Sequence, residues 1–502
     1  MDFSLLIGGE EIRHDSFQAE SLFYPGYHCP VTSAGPLDVA RAIGSARKAG
    51  RSSLPERAAC LQKAAGIFSY NQEHLEHTVK MTGMPLRLVK DLYDQIPTFI
   101  SQVAQTQQQR YTRTRKPAPL DLEVINPGLY KVLVPAEGFC YAMTPGNDPR
   151  AAALLAANLG CLGIPFILRA SARDAAAALT LKALIESGFD PDFCSLIYFD
   201  RASPETPGLH FRLVDASSVV WSFGPSAIVD PTQRFELNAR RAVLDLDNQE
   251  FQGITQEDLE TALSEKNPAQ IFRQMRIEPE LTDHFAGKIV IRHESGNCAL
   301  IATGHLDDPM SEVLYQSTGY PAVCMAARSA MVVDSPGWIE ETVEFYSSLK
   351  TGDPLDPDTQ VGYIPSRDLD VMYGLLRLNA SRLAAYGGKR ISPIQAAPLV
   401  VAAQEDLPDF FAREIPTYVL AVRECSSINE AVDQINRYTT SEPRLAVSLL
   451  NLPENLRLEA IKDLRAHTIL IDLPTTTLMP AFHEGNDYLI QLTQGKLLVI
   501  GE

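Results

Sequence analysis

GFCYAMTPGNDPRAAALLAANLGCLGIPFILRASARDAAAALTLKALIESGFDPDFCSLIYF, residues 138–199, is the stretch on which the reading of the fold turns. Short apolar runs at 139–143, 165–169 and 194–198 are bounded by Gly, Pro or polar residues. Between them lie two Ala/Leu-rich segments, 149–162 and 174–187, with helical spacing. Runs of four or five apolar residues read as strands buried on both faces, and the longer segments as crossover helices. A further run at 218–222 makes four strands with helical crossovers, an open, doubly wound sheet. In such sheets ligands sit beyond the carboxyl ends of the strands.

Working outward, residues 3–12 (FSLLIGGEEI) form two short strands about Gly8-Gly9, a hairpin signature. Residues 36–77 turn helical: Leu37, Val39, Ala40 and Ile43 recur at helical spacing, and Pro55 starts a second helix with Ala58, Leu61, Ala64, Ile67 and Phe68 on one stripe. A further helix is expected over 85–109, making the N-terminal stretch mostly helical packing. Residues 120–135 alternate about an Asn-Pro-Gly turn and read as a projecting β-hairpin. Residues 230–285 are acidic and helical and interrupt the alternation, so they read as an insertion. A second α/β unit follows, with strands near 288–291, 299–301 and 330–333, a helix over 338–350 and a βα pattern over 418–451. Residues 488–499 alternate about Gln494-Gly495 and read as a closing strand pair.

The chain has 502 residues, room for two to four compact units. With 45% hydrophobic and 21% charged residues it can bury a large core. A net charge of −18 repels phosphate backbones, so no nucleic-acid partner is expected; the densest basic run, RYTRTRK at 110–116, reads as a solvated linker. The opening has no basic n-region and no long apolar run follows anywhere, so neither a secretory signal nor a membrane span is expected. Eight scattered cysteines without a CxxC pair suit free thiols in a reducing cytoplasm. No metal site is expected; His74 and His77 read as decoration of an exposed helix face.

Three stretches carry candidate chemistry: Thr144-Pro145-Gly146-Asn147-Asp148-Pro149 at a strand-to-helix turn, His293-Glu294-Ser295-Gly296-Asn297 after a strand, and Gly319-Tyr320-Pro321-Ala322-Val323-Cys324. Taken singly, a cysteine after a loop is usually a buried small hydrophobe and an Asn beside Gly a turn residue. Taken in order, they resemble the aldehyde dehydrogenase superfamily over nearly the whole chain. The first is similar to the family's TPxNxP turn, whose Asn donates to an oxyanion. Glu294-Ser295-Gly296-Asn297 is similar to the segment carrying the general base, and Cys324 falls where the nucleophile falls. LKTGDPLDPDTQVG at 349–362 is the most specific match, and Gly387-Gly388-Lys389-Arg390 and Arg413-Glu414-Ile415 echo two more segments.

The resemblance implies an aldehyde dehydrogenase-like α/β fold: a Rossmann-like nicotinamide domain (1–115 and 136–293), an α/β catalytic domain (294–475), and a small β oligomerisation element (116–135 and 476–502). It implies a homodimer or homotetramer in which one subunit's hairpin extends its partner's sheet. The chemistry agrees. Hydride transfer from an aldehyde needs a tetrahedral carbon first, and a cysteine thiolate supplies it. Asn147 and the Cys324 backbone N–H are candidate oxyanion donors, and Glu294 the candidate base for hydrolysis of the resulting thioester.

The cofactor segments depart from the family pattern. Thr144, Arg169, Ser171, Gly224, Ser226 and Glu414 are the candidate contacts, but Ala172 stands where the resemblance expects the carboxylate that grips the ribose hydroxyls. Its loss removes repulsion of a 2′-phosphate, which tilts the expectation towards NADP over NAD. Pro225 removes a backbone donor from the phosphate turn. Tyr315, Tyr320, Met325 and the loop 475–483 are expected to shape the substrate pocket. Two alternatives stand beside hydrolytic aldehyde oxidation. One is an acylating enzyme that reduces an acyl-CoA or carrier-bound thioester. The other is a non-catalytic scaffold with a decayed cofactor site.

Overall fold

The computed structural model describes residues 1–14, 16–50, 52–114, 122–126, 129–200, 202–223, 287–293, 296–321, 323–403, 405, 407–412, 414–438, 444–479, 482–483 and 486–499. The expected insertion at 230–285, the Asn-Pro-Gly turn, and the candidate residues Gly224, Ser226 and Glu294 lie outside them.

A seven-stranded sheet forms first, ordered Ile289–His293, Val219–Phe223, Cys140–Met143, Phe166–Arg169, Cys194–Ile197, Leu5–Ile7, Glu10–Ile12. Its first five strands are parallel, and the N-terminal hairpin closes the edge antiparallel. The order reverses beside Cys140–Met143, because the chain builds outward on one side of that strand and then on the other. That reversal is the crevice where ligands sit in doubly wound sheets. Cys140–Met143 and Cys194–Ile197 are wholly buried, as strands covered by helices on both faces must be. The helix Arg150–Leu162 is buried at every residue; its alanines let it pack against Leu54–Ile67, Leu86–Thr114 and Ala176–Ser187.

A second seven-stranded sheet runs Leu383–Gly387, Leu399–Ala403, Val419–Cys425, Ala327–Val333, Cys298–Ala302, Arg444–Leu450, Ala466–Ile471. All pairings but the first are parallel. A third, three-stranded sheet joins Leu122–Asn126 and Leu129–Pro135 to Thr493–Val499. Among the described residues no helix is long and apolar enough to cross a membrane.

Several expectations are corrected. The strand near 288–291, read with the second α/β unit, pairs in parallel with Val219–Phe223 and edges the first sheet. Residues 488–499 are not a strand pair. Tyr488–Gln491 is a helical turn and Thr493–Val499 one strand, in which Gln494 and Gly495 pair with Val134 and Leu133 instead of turning. The N-terminal stretch also holds an antiparallel pair, Ser16–Glu20 with His28–Thr32. Residues 110–114 of the basic run continue the helix Leu86–Thr114. His77 is buried, not exposed: its ring nitrogens meet the Tyr27 hydroxyl and the Ala172 carbonyl, each at 2.9 Å.

Candidate active site

The first sheet delivers the Thr144–Pro149 turn at the reversal point. The turn begins as a continuation of the ladder, with Thr144 N–H donating to the Arg169 carbonyl at 3.1 Å. A Cβ on Gly146 would lie 2.8 Å from Arg173 Cδ and 2.9 Å from Ser171 Cβ, so glycine is what lets the neighbouring strand-end loop rest on the turn. Asn147 is half-buried at its tip. Asp148 then accepts from the Arg150 backbone N–H at 3.0 Å and grips the Arg150 guanidinium at 2.9 Å (Nε) and 2.8 Å (Nη2). Arg150 Nη1 donates to Gln95 Oε1 at 2.9 Å and to the Thr476 carbonyl at 3.0 Å. Burial works against this charge, but Asp148, Tyr320 and Cys324 outweigh it and hold the guanidinium above its ordinary value.

The chain passes from the first sheet to the second between His293, which ends one strand, and Cys298, which begins another. This short crossing carries Glu294. Its second half is braced on every side. Leu445 N–H donates to the Gly296 carbonyl at 3.1 Å, and Arg444 Nη1 donates to the Asn297 carbonyl at 2.8 Å. The crossing presses on the Cys324 loop: a Cβ on Gly296 would overlap the Cys324 carbonyl oxygen and lie 2.7 Å from its carbonyl carbon. The loop itself is pinned by buried Arg328, which donates to the Thr318 carbonyl at 3.0 Å and the Tyr320 carbonyl at 2.8 Å.

Cys324 stands apart from most of the other cysteines. Cys29, Cys140, Cys161, Cys194, Cys298 and Cys425 are buried, and burial pushes each thiol up, to about 11 for Cys29 and about 12 for Cys298. Cys324 and Cys60 are only half-buried, and Cys60 lies on the helix Leu54–Ile67, which packs against Leu86–Thr114, Arg150–Leu162 and Ala176–Ser187. Cys298, two residues past Gly296, begins the buried strand Cys298–Ala302, its Sγ 3.7 Å from the Cys324 carbonyl.

The candidate cofactor contacts divide. Thr144, Arg169 and Ser171 meet at the carboxyl ends of adjacent strands. Their hydroxyls and guanidinium suit an anionic, hydroxyl-bearing ligand, so the donor set fits a phosphorylated dinucleotide at that edge. Glu414 lies elsewhere, against the crossing. Burial raises its carboxyl, while the Arg328 charge and the Gly296 amide pull the other way.

Sequence reasoning missed three almost wholly buried arginines, 150, 328 and 444, each at most 2% exposed. The signal was present: a single charge inside an otherwise apolar strand or helix start, ARSAMVV, RLAVSLL and RAAALLAANL. His293, which opens the Glu294 stretch but was given no role of its own, has its Nε2 2.9 Å from the Tyr488 hydroxyl under the Trp221 and Phe223 rings, and burial holds it down to about 3. Of the expected pocket residues, Tyr315, Tyr320 and Met325 are all buried.

No family model and no curated protein sequence matches the chain. Solved structures do. An NAD-dependent aldehyde dehydrogenase from Sinorhizobium meliloti superposes with a TM-score of 0.74 at 17% identity, covering 99% of this chain and 94% of that one. A salicylaldehyde dehydrogenase from Pseudomonas putida G7, complexed with salicylaldehyde, gives 0.75 at 15% identity, covering 100% and 98%. An E. coli NADP-dependent enzyme gives 0.74 at 16%, covering 99% and 98%. The chain has the aldehyde dehydrogenase fold.

Proposed function

We propose that this chain, folded as the aldehyde dehydrogenases are, oxidises an aldehyde to a carboxylate with a nicotinamide dinucleotide, and that Cys324 is its nucleophile. One observation carries the reading. Six of eight cysteines are locked as neutral thiols by burial, whereas Cys324 is half-exposed where the two sheets meet, pressed by the crossing that bears Glu294.

The thiolate adds to the aldehyde carbon, and the carbonyl oxygen takes the charge. The Asn147 side-chain amide and the Cys324 N–H are the donors for that oxyanion; donors held in place before the charge develops need little reorganisation. Thr144, Arg169 and Ser171 hold the dinucleotide, which when bound accepts a hydride. Glu294 removes a proton from the water that hydrolyses the thioester on Cys324 and frees the sulfur for another cycle. The missing carboxylate at Ala172 supports NADP.

The test is a panel of short, long-chain, aromatic and semialdehyde substrates with both nicotinamides, followed by formation of reduced cofactor. Cys324→Ala is expected to abolish turnover, and Glu294→Gln to allow one burst of reduced cofactor and then stall. Full aldehyde oxidation by Cys324→Ala overturns the assignment.

We also infer a homodimer. Among the described residues, the second sheet ends on the edge of Ala466–Ile471 and the third on that of Leu122–Asn126. Leu458, Ile461, Ile471 and Leu473 lie exposed on and beside the first of these edges. Open edges flanked by apolar surface favour pairing with another copy.

A further inference from the structure

The strand Phe166–Arg169 and the loop after it carry two arginines, Arg169 and Arg173, on either side of Ser171-Ala172. The chain has 62 acidic residues for 44 basic ones, and arginines such as Arg41, Arg382 and Arg390 meet carboxylates. Arg169 and Arg173 do not. Among the described residues, their guanidiniums make no ion pair and no hydrogen bond. The carboxylate next in sequence, Asp174, is buried and committed to the start of the following helix, where it accepts the Ala176 backbone N–H at 3.0 Å.

Arg173 is nevertheless seated. Its backbone N–H donates to the Ser171 hydroxyl at 3.3 Å, which closes the loop into a turn. Its stem reaches across to the neighbouring strand end, with Cδ 2.8 Å from where a Cβ on Gly146 would stand, so glycine there makes room for the arginine. Gly146 belongs to the Thr144–Pro149 turn. The cation therefore sits at the carboxyl ends of two adjacent strands, Cys140–Met143 and Phe166–Arg169, at the reversal of strand order. Solvent reaches the side chain, yet protein crowds it enough that desolvation lowers its guanidinium, and no neighbouring charge offsets this. An anion arriving from outside would supply the missing partner.

We propose that Arg173 binds the 2′-phosphate of NADP and is the residue that sets the choice between the two nicotinamides. This rests on the nicotinamide reading of the crevice and adds to it the side chain that reads the cofactor. A phosphate monoester carries about two negative charges and three acceptor oxygens, and a guanidinium fork meets two of them in parallel. The pyrophosphate is common to NAD and NADP, so a contact to it cannot tell them apart. Ala172, next to the arginine, presents no carboxylate to repel the phosphate.

The test is binding without turnover. The full-length protein, with no aldehyde present, is titrated calorimetrically with NADP, NAD, 2′-AMP and 5′-AMP. The wild type is expected to bind NADP more tightly than NAD, and 2′-AMP more tightly than 5′-AMP. Arg173→Ala is expected to weaken NADP and 2′-AMP by about tenfold or more and to leave NAD and 5′-AMP within about twofold. Arg173→Lys, which keeps the charge but loses the fork, falls between. The side chain is exposed, and unchanged NAD binding in the variant itself reports an intact crevice. NADP affinity that survives Arg173→Ala, an equal loss for NAD, or a wild-type preference for NAD overturns the proposal and leaves the nicotinamide reading standing. A wild-type chain that binds neither dinucleotide ends that reading and this proposal with it.

Discussion

Gly296→Ala tests whether the crossing between the sheets positions the nucleophile. The Gly296 backbone is not left-handed, so the substitution is opposed by space alone. The added methyl overlaps the Cys324 carbonyl oxygen and lies 2.7 Å from its carbon and 2.8 Å from Leu445 Cδ2. Ordinary carbon–carbon contact is about 3.5 Å or more, so the Cys324 carbonyl must retreat by about 0.8 Å and its oxygen further. Leu445 is 3% exposed inside a wholly buried strand and cannot yield. The displacement therefore falls on the Cys324 loop. A shift near 1 Å at the attacking atom costs about 10²-fold in kcat, about 2.7 kcal/mol of barrier. Steady-state aldehyde oxidation measures it, with Gly44→Ala as control. Gly44 lies in the helix Pro36–Lys48 with nothing within 4 Å of its built Cβ, and alanine there should stabilise by about 0.5–1 kcal/mol without touching activity. Gly296→Ala turning over within twofold of wild type would refute the reasoning.

Three further outcomes are expected. Burial holds His77 and His210 down to about 4 and His293 to about 3, so between pH 6.5 and 4 the unfolded chain binds three protons that the folded chain refuses. Stability falls with falling pH by about 1.4 kcal/mol per histidine per unit. Asp174, raised by burial to about 7, works oppositely, its contribution being lost as pH rises, and cancels one of the three. These four groups together give a loss of about 2.7 kcal/mol per unit, which Glu414 and Asp91, whose carboxyls burial also raises, can only reduce; a urea midpoint that rises from pH 6.5 to 5.5 would contradict the histidine account. Ala172→Glu restores a carboxylate against the ribose hydroxyls and should move kcat/KM preference towards NAD; an unchanged NADP:NAD ratio would place the ribose elsewhere. Light scattering should return twice 55.2 kDa, falling to one chain for Leu458→Lys/Ile461→Lys, and a wild-type monomer would dismiss the edge-pairing reading.

The legible parts of the fold were those decided locally. Buried parallel strands are continuous apolar runs, and Cys140–Met143, Phe166–Arg169 and Cys194–Ile197 lie within a residue or two of where the sequence puts them. What depended on distant partners was not legible. Gln494-Gly495 has the composition of a turn, and only the strand Leu129–Pro135, more than 350 residues earlier, straightens it. His77 has the spacing of a surface residue, and it is the Ala172 carbonyl, Tyr27 and the Phe3 ring that enclose it.

The buried arginines suggest how this site keeps its loops in place without regular structure. A loop in a cleft has carbonyls that no ladder satisfies, and leaving them buried and unpaired is costly. Arg444 meets the Ile435, Asn297 and Phe411 carbonyls, and Arg328 meets those of Thr318 and Tyr320. A planar fork of five donors can serve several carbonyls in fixed directions, which the point charge of lysine cannot. Arg328→Lys should then separate charge from geometry: the cation stays, but the Tyr320–Cys324 loop loses its defined position. Activity should drop by about tenfold or more, while the melting temperature falls only by what a lost hydrogen bond or two explains, about 1–3 kcal/mol. Loss of activity strictly in proportion to unfolding would mean that Arg328 only supports the core, and the loop would then owe its position to the crossing alone.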